Sequence, residues 1–180
     1  PQFIYWLEMP FFAAVPVGLA LEKFEKPVVE TKYDGFRVQC HKDGSAVKIF
    51  SRRMENVTNQ FPDIVAMVKE NVTAKQCIIE GEAVAIKDGR PQPFQMLSRR
   101  IQRKYHIERM VKEIPVQVNL FDMLYLDGVS YMNEPLEKRW LALKKIMKET
   151  KSFRFADRME TKDFNEANKF YKASLAAGQE

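Results

Sequence analysis

The sequence predicts an α+β fold, antiparallel β-sheet flanked by helices, and three observations predict it. Lys42-Asp43-Gly44-Ser45 and Lys87-Asp88-Gly89-Arg90 each lie between β-like segments and supply the Asp-Gly chemistry of a tight hairpin. Amphipathic helical patterns occur singly among these hairpins, so the order does not suggest a parallel βαβ repeat. The 180 residues are 46% hydrophobic and 12% aromatic, which rules out a disordered polymer and suffices to bury one core.

Each element has its own justification. Residues 27–32 (Pro-Val-Val-Glu-Thr-Lys) read as a short strand. Residues 36–41 alternate, with Phe36, Val38 and Cys40 on one face and Arg37, Gln39 and His41 on the other, the pattern of a half-buried strand. After the first turn, Ala46–Phe50 return as its partner. Phe61, Ile64, Val65, Val68 and Val72 predict a helix with one buried stripe. Cys77–Ile79 and Ala83–Ile86 read as strand, broken at Gly81, before the second turn. Residues 98–112 are helical in pattern and strongly basic; Val116–Tyr125 is a strand ending at Leu126-Asp127-Gly128. Leu136, Trp140, Leu143 and Met147 mark another amphipathic helix, and Phe164, Ala167, Tyr171 and Leu175 mark the last. Met96, Met110, Met123, Met132 and Met147 read as core filler.

Composition excludes further classes. The formal net charge of +5 permits an anionic partner without requiring one. Cys40 and Cys77 form no CxxC or Cys/His ligand pattern and read as reduced, buried thiols of an intracellular protein. Two scattered histidines, His41 and His106, make no zinc site. The apolar start, Pro1 to Leu21, is interrupted by Glu8, Pro10 and Pro16, and its first basic residue is Lys23. It therefore matches neither a spanning helix nor a signal peptide, and no membrane association is expected.

The chemistry concentrates in Glu30-Thr31-Lys32-Tyr33-Asp34-Gly35-Phe36-Arg37. A lysine ends a strand, a turn follows, and an arginine opens the next strand. Nearby cations lower an amine's pKa toward that of a nucleophile, and Arg37 suits a phosphate. The same residues also read as an ordinary β-turn with a solvated lysine. Phe50-Ser51-Arg52-Arg53, Glu80-Gly81-Glu82 and Phe121-Asp122 each have an equally plain reading: a solvated arginine pair, an acidic turn and a core strand.

Together and in this order, these segments resemble the nucleotidyltransferase superfamily of ATP-dependent DNA ligases, RNA ligases and mRNA capping enzymes, above all the archaeal type of DNA ligase. Lys32-Tyr33-Asp34-Gly35-Phe36-Arg37 is similar to the KxDGxR nucleophile motif, and Ser51-Arg52-Arg53 to the arginine motif after it. Glu80-Gly81-Glu82 is similar to the acidic motif and Phe121-Asp122 to the aromatic strand, while Pro93–Gln95 through Arg99–Tyr105 resemble the archaeal ligases.

The resemblance implies an ATP-grasp-like adenylation domain that uses ATP and Mg2+. By it, Lys32 is the nucleophile that forms lysyl-AMP, and the AMP passes to the 5′-phosphate of nicked double-stranded DNA. Glu30 and Thr31 would meet the adenine edge, Thr31 through its backbone. Arg37 and Arg52 would contact the ribose or phosphates, Glu82 the ribose or a metal, and Phe121 would stack on adenine; Glu180 is a second metal candidate. The basic run from Arg99 to Lys112 reads either as a solvated face or as a DNA-backbone contact, with Arg99, Arg103 and His106 expected from their spacing on one helix face, and with Arg53, Arg99, Arg103 and Lys104 as DNA-binding candidates.

Residues 1–26 are expected to be a poorly matching apolar lead-in, and residues 27–180 a partial adenylation domain. The family's later lysines, its OB-fold and its N-terminal DNA-binding domain are absent from the sequence, so the chain is expected to be a piece of a longer enzyme with weak activity alone. Any contact with a sliding clamp would run through those other domains. The expected location is intracellular, cytoplasmic for an archaeal source. The alternatives are an RNA ligase or capping nucleotidyltransferase, and a non-catalytic nucleotide-binding module.

Overall fold

A computed structural model describes residues 3–4, 15–103 and 105–179. The chain divides into two compact units, residues 1–32 with 157–180, and residues 33–156.

In the first unit, β1 (Phe3–Ile4) pairs antiparallel with β2 (Val15–Pro16), which leads into α1 (Val17–Lys23). β3 (Val28–Glu30) is shorter than the sequence predicts, so Thr31 and Lys32 lie beyond its end.

The second unit is built on a sheet that is seven-stranded among the described residues. β4 (Phe36–Asp43) and β5 (Ala46–Ser51) form the expected hairpin, closed where Asp43 faces Ala46. A short 3-10 turn (Thr58–Gln60) and α2 (Pro62–Asn71) follow. β6 runs unbroken from Gln76 to Lys87, where the sequence predicts a break at Gly81. The glycine serves close packing instead: a Cβ there would lie 2.7 Å from the Asn119 carbonyl oxygen. β7 (Arg90–Gln92) closes the second hairpin, with Asp88 and Gly89 both in the left-handed region that such two-residue turns require.

The basic stretch is not one helix. It forms α3 (Phe94–Ile101) and α4 (Ile107–Glu113), separated by a connection that contains Arg103 and His106. Then come β8 (Val116–Leu126), β9 (Val129–Ser130), α5 (Leu136–Ile146) and β10 (Phe153–Phe155). The main strand order is β10-β8-β6-β4-β5. Its pairs are antiparallel except β10 with β8, which the sequence patterns do not reveal because β10 is only three residues long.

The core lies on one face of this sheet. Val38, Cys40, Ile49, Ile79 and Leu120 from the strands pack with Phe61, Ile64 and Val68 beside α2, and with Leu143 from α5. On α5, Leu143 is buried as predicted, while Leu136 stays exposed and Trp140 packs edge-on to Phe155. Cys40 and Cys77 are free and buried; burial pushes the Cys77 thiol up to about 11 and the Cys40 thiol further still. Of the five methionines read as filler, Met110, Met123 and Met147 are buried, Met96 is half-buried and Met132 is exposed.

The first unit ends with β11 (Arg158–Glu160), antiparallel to β3, and α6 (Phe164–Ala176). Asp163 caps α6, accepting hydrogen bonds from the backbone N–H of Asn165 and Glu166. The helix buries Ala167 and Ser174, whereas Phe164 and Leu175 of the predicted stripe are exposed. No described helix is long and apolar enough to cross a membrane.

Candidate functional site

The sheet of the second unit has a polar second face, and strand alternation explains it. When Val38 and Cys40 point into the core, Arg37, Gln39 and His41 must point the other way. Register carries the same polarity across the sheet: Arg37 faces Glu82, Gln39 faces Glu80, and Glu82 faces Asn119 on β8. Water is only partly excluded from this face, so its polar groups engage one another. Arg37 Nη2 donates to Glu80 Oε2 at 2.5 Å, Gln39 Nε2 donates to Glu80 Oε1 at 2.9 Å, and His41 Nε2 lies 2.6 Å from Gln39 Oε1. Burial lowers the His41 pKa, Glu80 opposes that shift, and Lys48 adds to it.

Arg37, Gln39, Ser51, Arg52, Met54 and Glu80 line a cavity of about 270 Å3. That is smaller than the roughly 300–1,000 Å3 of a pocket enclosing a whole small-molecule ligand. Two guanidinium groups stand at its wall, one of them paired with the Glu80 carboxylate, so the lining keeps a net positive charge of the sign that attracts a phosphate. Arg37 also places its guanidinium carbon 5.5 Å from the centroid of Phe121, within cation–π range.

The turn after β5 aims Arg52. The Ser51 hydroxyl accepts from the backbone N–H of Arg53 and Glu55, and the Met54 N–H donates to the Ser51 carbonyl. Met54 adopts a left-handed backbone at φ 59° to complete the turn, leaving Arg52 and Arg53 exposed. Gly35 is needed for a different reason: a Cβ there would lie 2.6 Å from the Ala83 carbonyl oxygen and 2.8 Å from Glu82 Cγ. Its neighbour Asp34 accepts from the Phe94 N–H at 3.2 Å, holding the first turn of α3.

In the first unit, Lys32 is exposed, and Glu30 forms an ion pair with Arg158 at 3.8 Å. The Thr31 hydroxyl is buried against that of Ser174 at 2.9 Å, and the Thr31 N–H donates to the Asp157 carbonyl. A backbone contact from Thr31 to a nucleotide would therefore use its carbonyl oxygen.

Thus Arg37, Arg52, Glu82 and Phe121 share one unit; Arg37 and Arg52 line the cavity, Phe121 lies beside Arg37, and Glu82 faces Arg37 across the strands without lining the cavity. The expected single helix face of Arg99, Arg103 and His106 does not form, because Arg103 lies after α3 and His106 precedes α4. Arg99 and Arg103 are exposed, but Arg100 between them is fully buried. Lys104 and Glu180 lie outside the described residues. Among the described residues no three His, Cys, Asp or Glu side chains form a metal-holding group. Sequence reasoning missed Gln39 and Glu80 as cavity-lining groups; the signal for Gln39 was the run of polar residues on the non-core face of β4.

The model of the ATP dependent DNA ligase domain family matches residues 12–180. The chain is 45% identical over 161 residues to a DNA ligase of Thermococcus onnurineus, covering 89% of this chain and 29% of that protein. It is 47% identical to a DNA ligase of Methanocaldococcus jannaschii, covering 89% of this chain and 31% of that one. The chain therefore spans about three tenths of the length of these curated relatives. In fold it is similar to the ligase domain of M. tuberculosis LigD, with a TM-score of 0.60 at 23% identity, covering 86% of this chain and 46% of that one. It is also similar to the ATP-dependent DNA ligase of bacteriophage T7 in complex with ATP, with a TM-score of 0.50 at 17% identity, covering 90% of this chain and 57% of that one.

Proposed function

We propose that this chain, which belongs to the ATP-dependent DNA ligase domain family, carries the adenylation chemistry of a DNA-sealing enzyme. The observation that carries the reading is the cavity wall on which Arg37 and Arg52 meet, in the unit that begins directly after Lys32 in sequence.

In this reading the Lys32 amine attacks the α-phosphorus of ATP. An N–P bond forms, the bond from the α-phosphorus to the bridging oxygen breaks, pyrophosphate leaves with that oxygen, and the neutral amine gives up one proton to water, keeping one hydrogen on nitrogen. Phosphoryl transfer of this kind depends on positioning and charge stabilisation more than on covalent help from the protein. Arg37 and Arg52 supply that charge at the ribose or phosphates, Phe121 offers its ring to the adenine, and Glu30 and the Thr31 carbonyl meet the adenine edge. The AMP then passes to the 5′-phosphate of nicked double-stranded DNA, and Arg53, Arg99 and Arg103 hold the backbone of that DNA.

Mg2+ usually binds through one or two carboxylates plus substrate phosphates, so Glu82 and the ATP phosphates fit it without a dedicated protein cage. Glu80 is already engaged at both carboxylate oxygens and is not that ligand. When bound, the ion would neutralise phosphate charge.

The test is incubation of the full-length gene product with α-labelled ATP and Mg2+, followed by denaturing electrophoresis. The label should stay on the protein and vanish in Lys32→Ala. Label that survives Lys32→Ala, or none at all in the unmodified protein, would sink the assignment. Sealing of nicked DNA in preference to nicked RNA, with ATP in preference to GTP, separates a DNA ligase from the RNA ligases and capping enzymes.

A further inference from the structure

We propose that Gln39 is a positioning residue for Arg37, acting through Glu80 and itself held by His41; this rests on the adenylation reading above. The four side chains form a hydrogen-bonded row on the polar face of the sheet whose donors converge on Glu80, from Arg37 on one side and from His41 through Gln39 on the other. The Gln39 amide nitrogen only donates, and it donates to Glu80 Oε1. Its oxygen only accepts, so the contact with His41 at 2.6 Å requires a proton on His41 Nε2. Glu80 then has one oxygen fixed by Gln39 and the other by Arg37.

This arrangement matters because arginine is long and loses much rotamer freedom on being fixed. One ion pair to a mobile carboxylate would leave the guanidinium free to swing with its partner. Here the carboxylate cannot turn: it is only 8% exposed, Gln39 grips its second oxygen, and His41 sets which way the Gln39 amide faces. His41 is itself packed against the Phe50 ring, at 4.7 Å between centroids. Gln39 also lines the cavity that Arg37 enters, so losing it alters the wall and the aim of the guanidinium together. Outer partners that orient a functional group without touching the reacting atoms commonly change rates by an order of magnitude or more.

The experiment compares Gln39→Met and His41→Phe in the full-length protein. The rate of lysyl-AMP labelling at saturating ATP should fall about tenfold in Gln39→Met, the loss expected when a buried partner's hydrogen bond goes, and by less in His41→Phe. In an Arg37→Ala background the Gln39→Met change should have no further effect. Melting curves identify any variant that fails to fold, and His41→Phe then serves in place of Gln39→Met. An independent readout is the guanidinium 15N signal of Arg37. Rotation should be restricted in the starting protein and become faster in Gln39→Met. Unchanged labelling with unchanged guanidinium rotation overturns the proposal, as does an equal loss of rate with and without Arg37. A starting protein that takes up no label refutes the adenylation reading instead, and the guanidinium signals then decide the positioning claim alone.

Discussion

Arg100 and Asp63 form an ion pair in which the arginine is fully buried, its two terminal nitrogens each donating to a carboxylate oxygen. The same guanidinium donates to the carbonyls of Gln60 and Ile114 and lies 4.5 Å from the centroid of the Phe61 ring. It ties α3 to the start of α2 and to the end of α4. A basic residue in the most basic stretch of the chain is thus a core residue.

Removing one partner of such a pair leaves the other buried without compensation. Arg100→Ala should destabilise the protein by about 3–5 kcal/mol, and Asp63→Ala by a comparable amount. Combining Arg100→Met with Asp63→Leu should cost much less than either single alanine change, because no unpaired charge remains. Urea unfolding monitored by circular dichroism checks all three.

Gly35 lacks the space for any side chain. Gly35→Ala should destabilise by about 1–3 kcal/mol through the forced shift of β4 from β6. It should also lower lysyl-AMP labelling by more than its stability loss explains, since the displaced atoms belong to Ala83 and Glu82. Labelling measured well below the melting temperature separates the two effects.

Acid should weaken the fold through His41. Burial holds its folded pKa below the ordinary value near 6.5, despite the opposing pull of Glu80 and with the aid of Lys48. Between the two pKa values the unfolded chain binds more protons, so stability is intact above about pH 6.5 and declines as pH falls through it toward the folded pKa. Denaturant midpoints at pH 7.5 and 5.5 should differ less in His41→Gln than in the starting protein.

Arg99 and Arg103 are solvent-facing, and Arg100 is not. Arg99→Ala with Arg103→Ala should weaken binding of the full-length protein to nicked DNA and reduce the slope of log affinity against log salt by up to about two. Arg100→Met with Asp63→Leu should leave that slope unchanged. Fluorescence anisotropy across a salt series distinguishes them.

The sequence by itself determined the α+β class, both hairpins and the two faces of β4, because Asp-Gly turns and period-two alternation are local properties of the chain. It also determined the family, through short ordered motifs around Lys32, Arg52, Glu82 and Phe121. Tertiary structure alone decided what depends on contacts distant in sequence. Arg100 became a core residue only on meeting Asp63, 37 residues earlier, and the basic segment forms two helices rather than one. Gly81 became the close-packing point of an unbroken strand only against Asn119. Gln39 gained its acceptor only when Glu80, about 40 residues on, arrived beside it. Local pattern tells a strand which way each side chain must face; only the register of its neighbour decides what that side chain meets.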